Sequence, residues 1–95
     1  MRYKKVKQQI KKITKQHYYN NFIKADEYQL PLSTITINKG TANEEKYADV
    51  ESIIIFKRGF LMLHSTKNPD AESRNIDLID IETFEIETQK KEEVK

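Results

Sequence analysis

The chain contains no cysteine and no tryptophan, and it has only two glycines and two prolines in 95 residues. Without cysteine it can form neither a disulfide framework nor a thiolate metal site. Gly40 and Gly59 are explained by turns, so there is no glycine-rich loop to hold a nucleotide phosphate. His17 and His64 are the only histidines, and neither lies in a pattern typical of acid–base catalysis. We therefore predict a protein that is not an enzyme, with no catalytic residues, no cofactor and no metal site.

Long apolar runs are also missing. No apolar run is longer than the four residues at positions 53–56, whereas a membrane-spanning helix needs about 20 apolar residues. The basic N-terminus lacks the apolar stretch of about 7–15 residues found in signal peptides. We expect a cytoplasmic protein with no membrane span, folded as one small domain over residues 1–87. Residues 88–95 show no apolar periodicity and are predicted to form a disordered tail.

Acidic residues are absent from the first 24 positions. That segment holds eight basic residues, whereas the remaining 71 hold nine basic and fifteen acidic residues. A concentrated positive field attracts phosphate-bearing polymers or anionic membrane surfaces. The sequence therefore indicates a class of partner, although the formal net charge is only +2.

The basic segment has the periodicity of an amphipathic helix, predicted over residues 2–17. Apolar or amphipathic residues recur three and four positions apart, at Tyr3, Val6, Ile10, Ile13 and His17. His17 would favour the helix dipole at the C-terminal end. The lysines on the other positions have three interpretations: a solvated face paired with the acidic half, a nucleic-acid phosphate site, or a membrane-surface helix. The third is disfavoured because the apolar stripe is narrow and lacks Trp, Phe and Leu.

Residues 18–87 are rich in Ile, Phe, Tyr and Thr between polar turns, which predicts five or six strands. Residues 18–24 are compatible with a strand, a turn or an extension of the helix. Pro31 indicates an edge strand or a strand start. Residues 33–37 alternate with period two before a turn at residues 38–40, which places Ile35 and Ile37 in the core.

The strongest local signal is a β-hairpin. Residues 50–56 and 60–65 flank the turn Lys57-Arg58-Gly59, where Gly59 can supply a positive φ. Both hairpin faces are apolar, so we expect it to be central and covered by the N-terminal helix. A change of apolar phase near Asp80 predicts a bulge or a tight turn.

These elements predict an α+β fold. We expect an N-terminal amphipathic helix packed on a small, strongly bent sheet of five to six mainly antiparallel strands, or on a partly open barrel of PUA-like or Sm-like type.

Aromatic residues beside the basic run suggest a nucleic-acid site, because aromatics interleaved with cations form stacking platforms for single strands. The alternative is that these rings fill the junction between helix and sheet. The exposed tip of the hairpin would extend the basic surface. The predicted nucleic-acid-binding residues are Lys4, Lys5, Lys7, Lys11, Lys12, Lys15, Tyr18, Tyr19, Lys57 and Arg58.

The basic helix, the hairpin IIIFKRGFLMLHS at residues 53–65 and the closing segment IDIETFEI at residues 79–86 resemble the PrgU family of small regulatory proteins. These proteins are carried by conjugative plasmids of low-GC Gram-positive bacteria. The resemblance implies a PUA-like, RNA-binding regulator that restrains production of surface adhesins. It rests on length, element order and hairpin style, so no binding residue is transferred from it.

The sequence thus leads to two functional hypotheses. The first is a regulatory protein of a mobile element or its host that binds RNA through the basic helix. The alternative is a protein-interaction module, a homo-oligomer or an accessory subunit, in which the apolar helix stripe docks on another protein chain.

Overall fold

One N-terminal helix is followed by strands that form a single antiparallel sheet. The computed structural model describes residues 2–89, with side chains from residue 4 onward. In chain order the elements are α1 (Arg2–Ile13), β1 (His17–Asn20), β2 (Ala25–Ile37), β3 (Glu45–Phe56), β4 (Phe60–His64), β5 (Asn75–Asp77), a 3-10 turn (Leu78–Asp80) and β6 (Phe84–Thr88). The predicted α+β class, with a helix and six antiparallel strands, is confirmed.

The sheet is organised around the long strand β2. Its strand order is β1-β2-β3-β4-β5, and β6 also pairs with β2. The first part of β2 pairs with β1, and the part from Ser33 to Ile37 pairs with β6. The pairing register with β3 shifts between Gln29 and Ser33. Pro31 lies inside this irregularity, so its predicted place at a strand start or on an edge strand is wrong. A bulge tolerates proline because no ladder hydrogen bond is needed there.

The core lies between the helix and one face of the sheet. Ile35 and Ile37 are 0% and 1% exposed, which confirms their predicted burial. Val6 and Ile10 of α1 are buried in the same cluster. The other members are Tyr28, Val50, Ile53, Ile55, Leu61, Leu63, Ala71, Ile76, Leu78, Ile81 and Phe84.

The helix ends at Ile13, four residues before the predicted end at position 17. After the last helical bond, from Thr14 N to Ile10 O, the Thr14 hydroxyl accepts a bond from Gln16 N (3.1 Å). Such local side-chain bonds compete with helix continuation. His17 therefore begins β1 and does not cap the helix. Its ring stacks on Tyr28 with centroids 4.5 Å apart.

The helix also packs elsewhere than predicted. It contacts β6, β2 and the 3-10 turn, whereas we expected it to cover the β3–β4 hairpin. Val6 and Ile10 belong to the same buried cluster as Ile81 and Phe84, and Val6 lines one groove together with Ile81 and Phe84. The second apolar face of the hairpin is consequently left without the helix.

The β3–β4 hairpin itself is confirmed, as is the positive φ of Gly59 (+108°) in its turn. The phase change near Asp80 corresponds to the 3-10 turn. The predicted tail begins too early, because Thr88 lies in β6 and Gln89 bonds to Thr34 and Asp49. Residues 90–95 lie outside the described part of the chain.

Candidate nucleic-acid interface

The two sides of α1 have different environments. Its apolar side is closed, since Val6 is 1% exposed and Ile10 is 0% exposed. On the opposite side four of the predicted site residues are exposed: Lys4, Lys5, Lys11 and Lys12. Lys15 is exposed in the connection to β1, and Lys7 is half-buried with an interaction of its own. The helix therefore presents its charge to solvent and its apolar stripe to the core.

Most of these lysines lack an acidic partner. Ion pairs within residues 4–89 are formed by His17, Lys39, His64 and Arg74, and Lys7 has an interaction of its own. In that part of the chain no carboxylate lies within 4 Å of the ammonium groups of Lys11, Lys12 or Lys15. Those charges are therefore available to an external anion.

Acidic residues do approach the N-terminal half of the helix. Lys5 borders a groove of about 410 Å³ whose opposite wall includes Glu82 and Glu85. Glu85 itself pairs with Lys39 at 3.7 Å between Nζ and Oε1. Carboxylates therefore weaken the positive electrostatic potential less near Lys11, Lys12 and Lys15 than near Lys5.

The predicted tyrosines lie side by side on the edge strand β1 but face opposite sides of the sheet. Tyr19 pairs with Asp26 and Tyr18 with Glu27. Because side chains alternate along a strand, Tyr19 lies on the core side and Tyr18 on the outer side. They are 36% and 52% exposed, so neither ring is sealed in the junction between helix and sheet.

Tyr19 meets one of the predicted basic residues of the hairpin turn. The Lys57 ammonium lies 5.3 Å from the centroid of the Tyr19 ring. This is within cation–π distance and holds a cation over an exposed aromatic face. The structure thus brings together Tyr19 and Lys57, which are 38 positions apart in the sequence.

A second turn adds to this end of the sheet. Lys57 N donates to Lys24 O (3.2 Å), which sets the turn at residues 21–24 beside the hairpin turn. The Asn20 carboxamide oxygen accepts bonds from Phe22 N (2.9 Å) and Ile23 N (3.2 Å), which fixes that turn. Phe22 is 94% exposed. Lys24, Lys57, Arg58 and Phe22 are therefore exposed at the same end.

Sequence reasoning grouped Phe22 with Tyr18 and Tyr19 as a possible stacking residue, but it missed that Phe22 and Lys24 lie beside the hairpin turn. Both were visible as a basic and an aromatic residue, but no local pattern showed that their turn adjoins residues 57–59. The Asn20-Asn21 pair was the one available signal for a turn.

The histidines are engaged by carboxylates. His17 Nε2 lies 2.8 Å from Asp26 Oδ1, and His64 Nδ1 lies 2.9 Å from Glu72 Oε1.

On β1 the carboxylate of Glu27 raises the pKa of Tyr18, by a side-chain hydrogen bond above all. Exposed cations beside aromatic rings can hold phosphates and stack bases, and this is the chemistry that the arrangement supports.

Comparisons with known proteins give no further guide, since no family model, no curated protein and no solved structure matches this chain. Within residues 2–89, α1 is the only α-helix, and its 12 residues are too few and too polar to cross a membrane.

Proposed function

We propose that this protein is a non-enzymatic cytoplasmic regulator that binds single-stranded RNA through the lysine side of α1 and the adjoining end of β1. The observation that supports the proposal most strongly is the different environment of the two sides of α1. The apolar side of α1 is buried in the core. Lys11, Lys12 and Lys15 are exposed, and no carboxylate of residues 4–89 lies within 4 Å of their ammonium groups. A regulatory role on a mobile element is what the resemblance to the PrgU family adds.

The competing hypothesis placed a partner chain on the apolar helix stripe. Val6 and Ile10 are already packed against β6 and the 3-10 turn region, so a partner could reach them only after the helix left the core. Phosphate binding needs no such rearrangement, because the charges are already in solvent.

Tyr19 and the hairpin turn supply the contacts that favour single strands. A cation held 5.3 Å from an exposed ring offers both a phosphate contact and a stacking surface. Base–aromatic stacking is worth about 1–3 kcal/mol per base and requires bases that are not already paired. We therefore expect single-stranded RNA to bind more tightly than duplex DNA.

The experiment is fluorescence anisotropy with labelled single-stranded RNA, single-stranded DNA and duplex DNA. The test variant carries Lys11→Glu and Lys12→Glu, and the control carries Lys46→Glu on β3, away from α1. We expect the double variant to lose RNA binding while its circular dichroism stays that of the wild type. Equal RNA affinity in the double variant and the wild type would remove α1 from the binding site.

A further inference from the structure

The outer face of the sheet carries a continuous row of side chains that the helix does not cover. Tyr18 lies opposite Glu27, Glu27 opposite Ile54, and Ile54 opposite Met62. Directly paired residues on neighbouring strands share one face of a sheet. We call this face, with Phe56 and Phe60 of the adjacent row, the outer platform.

The outer platform is aromatic and open. Phe56 and Phe60 stack with centroids 4.4 Å apart, and Tyr18 is 52% exposed. Ile54, Phe56, Phe60 and Met62 are half-buried. With strands about 4.8 Å apart, the row from β1 to β4 spans about 14 Å, room for two or three splayed bases.

Cations border one end of this platform. The row of Ala25, Phe56 and Phe60 adjoins the turns that carry Lys24 and Arg58. Both are exposed, and no carboxylate of residues 4–89 pairs with them. A strand whose bases lie on the platform can therefore place its phosphates on these cations.

Glu27 is the unexpected member of the row, because a carboxylate repels phosphate. Asn20 Nδ2 donates a hydrogen bond to Glu27 Oε1 (3.4 Å) on one side, and the carboxylate also lies close enough to the Tyr18 hydroxyl to raise the pKa of Tyr18. An ionised carboxylate accepts about four hydrogen bonds and donates none. Two acceptor positions therefore remain for a ligand.

Among the bases, only guanine presents two neighbouring donors on its Watson–Crick edge, N1–H and the N2 amino group. The Watson–Crick edges of adenine and cytosine each present one amino group beside an acceptor nitrogen, and that of uracil presents one N–H between two carbonyls. Only guanine can thus bind a carboxylate in bidentate fashion without setting an acceptor against it.

We propose that the outer platform binds unpaired RNA bases with a preference for guanine, and that Glu27 is the residue that determines this preference. The proposal rests on the proposed function, since it names the base-reading part of the same RNA-binding protein.

The test uses anisotropy with four labelled oligonucleotides, UUGUUG, UUAUUA, UUCUUC and UUUUUU, against the wild type and Glu27→Gln. Gln keeps the size of Glu27 and can still accept from Asn20 and Tyr18, so the fold is retained. We expect the wild type to bind UUGUUG about tenfold more tightly than UUUUUU. Glu27→Gln should lose this preference and bind UUUUUU at least as tightly as the wild type.

An inosine oligonucleotide, UUIUUI, sharpens the result. Inosine keeps N1–H but lacks the N2 amino group, so its affinity should fall between those of UUGUUG and UUUUUU. Equal binding of UUGUUG and UUUUUU, or a guanine preference that persists in Glu27→Gln, would overturn the inference and leave RNA binding itself standing. Failure of all the oligonucleotides to bind would overturn the proposed function as well.

Discussion

Asn38 joins two distant parts of the chain through one side chain. Its Nδ2 donates to Asp80 O (2.9 Å), and its Oδ1 accepts from Glu82 N (2.6 Å) and Thr83 N (3.2 Å). The residue is 7% exposed and has φ +56°, a conformation that asparagine tolerates. One amide therefore holds the end of β2 against the entry to β6.

Replacing this amide should be costly. Asn38→Ala leaves three part-buried backbone groups without these partners, and we expect a loss of about 2–4 kcal/mol in the free energy of unfolding. Asn43→Ala, at an exposed position of the neighbouring loop, should change it by less than about 0.5 kcal/mol. Urea titrations measure both. Equal midpoints for Asn38→Ala and the wild type would refute the linking role of this side chain.

A carboxylate on β3 links stability to pH. The hydroxyl and the backbone N–H of Thr66 both donate to Glu51 Oε2, and they lower the pKa of Glu51. The ionised form is therefore favoured in the folded state. Its contribution is present above the pKa of glutamate in an unfolded chain, about 4.3, and is lost as the pH falls through the folded value.

We accordingly expect Glu51→Gln to be less stable than the wild type near neutral pH and to approach it as the medium is acidified. Urea midpoints at a series of pH values give the difference. Glu87→Gln, at an exposed carboxylate of β6, is the matched control and should show a smaller pH-dependent difference. A gap between Glu51→Gln and the wild type that did not change with pH would contradict the assignment.

At the scale of elements, the β3–β4 turn depends on its glycine. Gly59 has a φ of +108°, which side chains disfavour. The space around it is open, because no heavy atom lies within 4 Å of the position that a Cβ would take. The cost of Gly59→Ala is therefore backbone strain and not a clash, about 1–3 kcal/mol. Arg58→Ala in the same turn should be nearly neutral. Thermal or urea denaturation that found the two variants equally stable would show that the turn adapts to a side chain.

Val6 and Ile10 of the apolar stripe hold α1 in the core. Ile10 is fully buried, so Ile10→Ala should lower the free energy of unfolding by about 2–5 kcal/mol, whereas Lys12→Ala should leave it nearly unchanged. Urea denaturation gives the energies. Light scattering after size-exclusion chromatography adds a check on association. A fully stable Ile10→Ala protein that had changed its oligomeric state would favour a role for this stripe between chains.

Over the whole molecule, three local patterns were predicted correctly from the sequence. The hairpin turn, the inward-facing Ile35 and Ile37 and the turn at residues 78–80 all depend on neighbours within a few positions. Periodicity and glycine placement report such short-range preferences directly.

The early end of α1 has a local cause, the bond from Gln16 N to the Thr14 hydroxyl, but the errors in packing concern contacts between residues far apart in the chain. The sequence did not reveal that α1 would pack on β6, or that His17 would leave the helix to contact Asp26 and Tyr28. In the candidate site it predicted Tyr19 and Lys57 separately, and their contact appeared only with the fold. Local sequence propensity does not determine which strand packs beside a given helix or strand.

Within the described residues, the basic N-terminal segment and the acidic residues that follow it lie on different parts of the surface. The helix lysines are exposed on one side of the core, while Glu44, Glu45, Asp77 and Asp80 line a groove that the helix does not border. A polyanion should therefore meet the molecule on the helix side. We propose that this surface binds RNA phosphates.

The most direct test is the salt dependence of RNA affinity, measured by anisotropy with single-stranded RNA of about 12 nucleotides. If the six predicted lysines of the segment 4–15 each neutralise a phosphate, log K against log salt should have a slope near −4, about −0.7 per contact. The Lys11→Glu, Lys12→Glu variant should be flatter by at least about 1.4, or bind too weakly to measure. A slope near zero, or the same slope in both proteins, would contradict the claim that the lysine side of α1 binds RNA.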